Sequence, residues 1–181
     1  MKLSTKHSVL AACAAAIAFA AAAPSAQAVS VGEGIAGITG GTIALTAGSG
    51  AVFVSGYSPG STATSTGVLT ATTTNPSWTL SVQDNGAGAG HMVSGNPALC
   101  SGSDAQVTNS LQVAVTAPGS LGGFQSAGTK TISGSAVTVA SATGQLLAAS
   151  VLTTNYSQVI PSGQVMLAGC PYGLTATYTL Q

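Results

Sequence analysis

Short runs in which apolar residues alternate with Ser, Thr and Gln recur along most of this chain, separated by clusters of Gly, Pro, Asn and Ser. Beyond residue 29 no segment repeats its apolar positions at the spacing of an amphipathic helix, so the pattern predicts strands throughout. The expected strands are Thr42 to Thr46, Val52 to Tyr57, Gly67 to Thr73, Ser77 to Gln83 and Ser110 to Thr116, followed by Thr129 to Ser133, Ala136 to Ala140, Leu147 to Thr153, Ser157 to Ile160 and Leu174 to Leu180. Trp78, Leu80 and Val82 alternate with Thr79, Ser81 and Gln83, which sends one face of that strand into a core and the other to water. Leu111, Val113 and Val115 repeat the pattern.

The segment Thr131 to Val137 reads as a hairpin turning at Gly134-Ser135, a pair suited to positive φ. Many short strands with no crossover helix predict an all-β chain, an immunoglobulin-like antiparallel β-sandwich. The Ser/Thr-rich stretch from Ser58 to Asn75 belongs inside that domain, because Val68 and Leu69 lie in a β-prone run. Glycine-rich loops are expected at Asp84 to Gly90 and Pro118 to Gly123, where glycine permits tight reversal and ligand contacts could sit.

The first residues depart from this pattern. Lys2 and Lys6 precede an alanine-dominated apolar run, and Ala26-Gln27-Ala28 offers small residues for a signal peptidase. Residues 1–28 are therefore expected to be an export signal cut between Ala28 and Val29, with residues 29–181 forming a single domain. The apolar run is short for a membrane span of about 20 residues. A lipobox reading, Leu10-Ala11-Ala12-Cys13, leaves too short an apolar stretch ahead of Cys13.

Export changes the charge and cysteine arithmetic. The mature chain keeps Lys130 against Glu33, Asp84 and Asp104, a net charge of −2. With no basic patch, binding to nucleic acid through counterion release has no source. No membrane span is expected in the mature chain. Cys100 and Cys170 remain as an even pair 70 positions apart, expected to form one disulfide outside the cell. Two cysteines and His91 lack the paired spacing of a zinc site, and no cofactor is expected.

Signals for catalysis are weak. Gly56-Tyr57-Ser58-Pro59-Gly60 fits the pattern of a hydrolase nucleophile elbow, but Pro59 has no N–H to give to an oxyanion hole, so the segment reads as a turn. His91 with Ser58 and Asp84 or Asp104 nominally completes a triad. A loop histidine beside glycine reads first as a solvated side chain, and Asp84-Asn85-Gly86 as a turn. In Gly123 to Thr131 the lysine falls one place too late for a phosphate loop. Lys130 is also the sole mature lysine for an internal isopeptide bond, which is not expected. Trp78 is expected to fill a core and its loss to unfold the domain.

Three pieces together give the chain a family likeness: Trp78-Thr79-Leu80 in a mid-chain strand, a glycine-rich loop after it, and the closing strand Leu174 to Leu180. With Ile160-Pro161-Ser162-Gly163, they resemble the WxL-domain family of secreted bacterial surface proteins over roughly residues 65 to 181. The family's second Trp-x-Leu would fall on Tyr178-Thr179-Leu180, with tyrosine in place of tryptophan. The resemblance implies a β-sandwich held non-covalently on peptidoglycan, with Trp78, Leu80, Tyr178 and Leu180 as motif residues. The chain contains no Leu-Pro-x-Thr-Gly sorting motif.

The resulting expectation is a non-catalytic, secreted cell-surface module whose partner is cell-wall polymer (peptidoglycan) or a copy of itself. A structural subunit of an extracellular fibre or surface layer is the alternative, because nearly uncharged strand edges can pair between chains. A secreted hydrolase using Ser58 and His91 ranks third.

Overall fold

A computed structural model describes residues 29–31, 43–48, 50–53, 58–96, 98–119 and 121–181. The expected export signal lies outside these residues, as do Val54 to Tyr57 of one expected strand. No helix occurs among the described residues, and none is therefore long and apolar enough to cross a membrane.

In chain order the strands are β1 (Val29–Val31), β2 (Ile43–Ala47), β3 (Thr62–Thr73), β4 (Ser77–Asp84), β5 (Val93–Ser94) and β6 (Gln112–Thr116). They continue with β7 (Phe124–Ser126), β8 (Lys130–Thr131), β9 (Val137–Thr143), β10 (Leu146–Val159), β11 (Tyr172–Gly173) and β12 (Ala176–Leu180). One sheet has the order β1-β12-β4-β9-β7 and a second the order β2-β3-β10-β6-β8. A two-stranded ladder joins β11 to β5. Every pairing is antiparallel.

Alternation explains why these segments pair as they do. Trp78, Leu80 and Val82 of β4 and Leu180 of β12 point into the same hydrophobic cluster as Leu45 of β2, Leu69 of β3, Val113 and Val115 of β6 and Leu152 of β10. Both five-stranded sheets thus contribute to one core. Leu80, Val82, Val113, Val115, Leu152 and Leu180 have no exposed surface, and burying each such side chain contributes about 1.5–3 kcal/mol.

The expected split between Leu147 to Thr153 and Ser157 to Ile160 is corrected by the structure. Thr154, Asn155 and Tyr156 stay in register with Gly67, Thr66 and Ser65 of β3, so β10 runs unbroken. Strand β3 begins at Thr62, five residues before the expected start. Its inward positions there are the small Ala63, Ser65 and Gly67, which carry little hydrophobic signal. Ala51 to Phe53 are not in a strand. The short strands β1, β5, β7 and β11 were not expected.

The hairpin expected at Thr131 to Val137 is also corrected, because β8 belongs to one sheet and β9 to the other. Gly134 does not take positive φ. The intervening Ile132 is fully buried, its N–H donates to the Leu111 carbonyl, and the next carbonyl, Ser133, accepts from the Asp84 N–H at the end of β4. The buried Ile132 side chain, flanked by these two bonds, carries the chain from one sheet to the other.

The loop after β4 closes on Asp84. Its carboxylate accepts from the N–H of Gly86 at 2.8 Å and of Gly90 at 2.7 Å. Gly90 has φ +102°, and a Cβ there would lie 2.0 Å from the Ile132 carbonyl oxygen, so this position admits only glycine. Cys100 and Cys170 form the expected disulfide.

Candidate functional site

The four residues of the Trp-x-Leu pattern come together on neighbouring strands. Leu180 of β12 sits directly opposite Leu80 of β4, and Tyr178 opposite Val82. Trp78 packs against Phe124 with ring centroids 6.2 Å apart. All four side chains are buried, so they build the core and present no surface to a polymer. The Tyr178 hydroxyl meets that of Tyr156 at 2.7 Å. Burial first, and then the neighbouring Tyr156, hold the Tyr178 phenol far above its ordinary pKa, with the Thr154 side chain partly opposing.

The nominal triad is not assembled. His91 is not simply solvated: Nδ1 lies 2.9 Å from the Val107 carbonyl and Nε2 lies 3.2 Å from the Ser110 hydroxyl. A carbonyl only accepts, so Nδ1 carries a proton and donates to Val107, while Nε2 shares a hydrogen bond with the Ser110 hydroxyl. The Asp84 carboxylate is held by its loop amides. That of Asp104 accepts from Gln164 Nε2 at 2.6 Å and from the Val165 N–H at 2.8 Å. Ser58 instead offers its carbonyl to the Ser61 hydroxyl. Lys130 is half-buried on β8, and no group of three or more His, Cys, Asp or Glu residues among the described ones is placed to hold a metal ion.

Sequence reasoning passed over Gln164, which the structure places at the centre of a buried network. Its Oε1 accepts from the N–H and hydroxyl of Thr108, and its Nε2 donates to Asp104 and to the Gln106 carbonyl. With the disulfide, the β5–β11 ladder and the Tyr172 hydroxyl on the Asp104 carbonyl at 2.6 Å, this network binds the two long loops to each other. No sequence signal marks Gln164, because an amide in a Pro-Ser-Gly-Gln turn reads as solvent-exposed.

The outer face of the second sheet is an extended uncharged surface among the described residues. On β3 the outward residues Thr62, Thr64, Thr66 and Val68 are exposed and Thr70 and Thr72 half-exposed. The register sets Thr66 beside Asn155 and Ala114, Thr64 beside Ser157, Gln112 and Thr131, and Val68 beside Thr153 and Thr116. Thr46 of β2 extends the next row through Thr70 to Val151. Rows of hydroxyl, amide and methyl groups therefore repeat about every 4.8 Å across the strands and about 6.8 Å along them. No outward-pointing position of these strands carries a charge among the described residues. No family model, curated protein or solved structure matches the chain, so its function is to be argued from this geometry and from its residues.

Proposed function

We propose that the chain is a non-catalytic, exported module of the cell surface that holds cell-wall glycan on the outer face of the second sheet. The two five-stranded sheets would act as the layers of an immunoglobulin-like sandwich, a rigid support for that face. The single observation that carries this reading is the uncharged array of Thr, Ser, Asn and Gln, with Val68, Val151 and Val159 among them, running across five strands. A neutral polymer of hydroxyls and acetamido groups offers donors and acceptors for such side chains, and threonine methyl groups suit the C–H faces of sugar rings. Each contact is weak, and repetition along a polymer multiplies them. The buried Trp-x-Leu residues keep the sheets in register beneath the face.

Non-catalytic action is supported by the commitment of both aspartates to loop amides and by the pairing of His91 with Ser110 away from Ser58. Retention of the processed chain on purified cell walls tests the proposal, and no retention above a control β-sandwich counts against it. A fibre subunit is the second reading, favoured by the edge strand β7, whose Phe124, Gln125 and Ser126 carry no charge to deter pairing with another chain. Regular filaments containing this chain, seen by electron microscopy of cell-surface material, would favour it.

A further inference from the structure

A cavity of about 360 Å³ lies between the two sheets at the end where β3, β10 and β12 approach one another. Its apolar wall includes Phe53, Leu69, Met92 and Leu111, and it reaches the surface at Val52, which is 75 % exposed. The polar groups along it include the hydroxyls of Tyr156, Tyr178 and Thr154. No charged side chain lines it among the described residues. Gly67 helps to keep it open: a Cβ there would lie 2.8 Å from Thr154 Oγ1 and 3.5 Å from the Tyr156 ring.

Protein interiors pack to the density of organic crystals, so a cleft of this size between two sheets, open to solvent at Val52, is room into which a small molecule fits. The three hydroxyls converge from both sheets, Thr154 and Tyr156 from β10 and Tyr178 from β12. They give one side of the cavity a polar pole facing the apolar side chains of Phe53, Leu69, Met92 and Leu111, in a lining of mixed character. By proportion to a cavity of about 150 Å³ that takes up benzene, this one suits roughly 12–15 heavy atoms.

We propose that this cavity is a binding site for one neutral amphiphile, an apolar body ending in a hydroxyl that joins the Tyr156–Tyr178 pair. Among the described lining residues no cation is placed to pair with a carboxylate, which would be desolvated there without a partner. The inference goes beyond glycan binding and stands or falls separately, since it concerns the interior and not the outer face.

Isothermal titration of the processed, disulfide-bonded chain with 4-hexylphenol, hexylbenzene and 4-hexylbenzoate tests it. The expected result is one 4-hexylphenol per chain, hexylbenzene bound about tenfold more weakly for want of a hydroxyl, and no measurable binding of the benzoate. Ala51→Trp, at a half-buried position on the cavity wall, should abolish binding of the phenol while the free protein unfolds as before. Tyr156→Phe should bring the phenol and hexylbenzene to equal affinity. Absence of saturable binding, equal affinity of the unaltered chain for the three probes, or undiminished binding by a folded Ala51→Trp chain would overturn the proposal.

Discussion

The hydroxyl of Tyr156 on β10 meets the hydroxyl of Tyr178 on β12 at 2.7 Å, a side-chain hydrogen bond that ties one five-stranded sheet to the other. Tyr178 is 4 % exposed, so the bond forms where water competes poorly. It also gives a chemical reason for a tyrosine at this buried position. A phenol delivers an oxygen across the core that an indole does not.

Tyr178→Phe should therefore lower stability by about 1 kcal/mol, read as a drop of about 2–4 °C in thermal midpoint. The pH dependence has a definite sign. Because the phenol's pKa is raised in the folded chain above its ordinary 10.0, its contribution is complete below pH 10 and declines as pH rises beyond it. Denaturant titrations from pH 8 to 11 should show that decline, and Tyr178→Phe should reduce it.

Trp78 is expected to matter through its volume. It is 2 % exposed, and its indole Nε1–H meets no hydrogen-bond partner among the described residues. Trp78→Phe should then cost less than about 1.5 kcal/mol, while Trp78→Ala should cost about 3–5 kcal/mol and leave much of the chain unfolded at physiological temperature. Chemical denaturation separates the two outcomes. Equal damage from both substitutions would show that the N–H does have a partner.

The disulfide closes a loop of 70 residues, for which chain entropy assigns about 4 kcal/mol. Reduction, or the paired change Cys100→Ser with Cys170→Ser, should lower the denaturation midpoint accordingly. The core strands do not contain either cysteine, and Gln164 continues to join the two loops. Circular dichroism of the reduced chain at low temperature should therefore keep its β signature.

Strands with large inward residues, such as Trp78, Leu80 and Val82, were legible from alternation alone, as was the cysteine pair. The amino-terminal half of β3 was not, because its inward positions are Ala63, Ser65 and Gly67 and the threonines between them look like linker. Of these, Gly67 lines the cavity and the threonines form the outer surface of the sheet, so the least informative composition touches both proposed sites. The crossover at Ile132 was misread as a hairpin because a Gly-Ser pair signals a turn locally, whereas the destination of the next strand is decided by burial of one isoleucine. The Ser110–His91 contact joins residues 19 positions apart and leaves no spacing to recognise.

Glycan binding by the uncharged face is the central claim, and Thr66 and Asn155, paired at its middle, give its most direct test. The measurement is the fraction of processed chain retained on purified cell walls, for the unaltered protein and for Thr66→Glu with Asn155→Glu. The expected result is clear retention that falls at least about tenfold in the double variant, with an unchanged β spectrum, because buried carboxylates against a neutral polymer lose their water without gaining a partner. Retention no greater than that of a control β-sandwich, or retention that survives the two glutamates, would contradict the account.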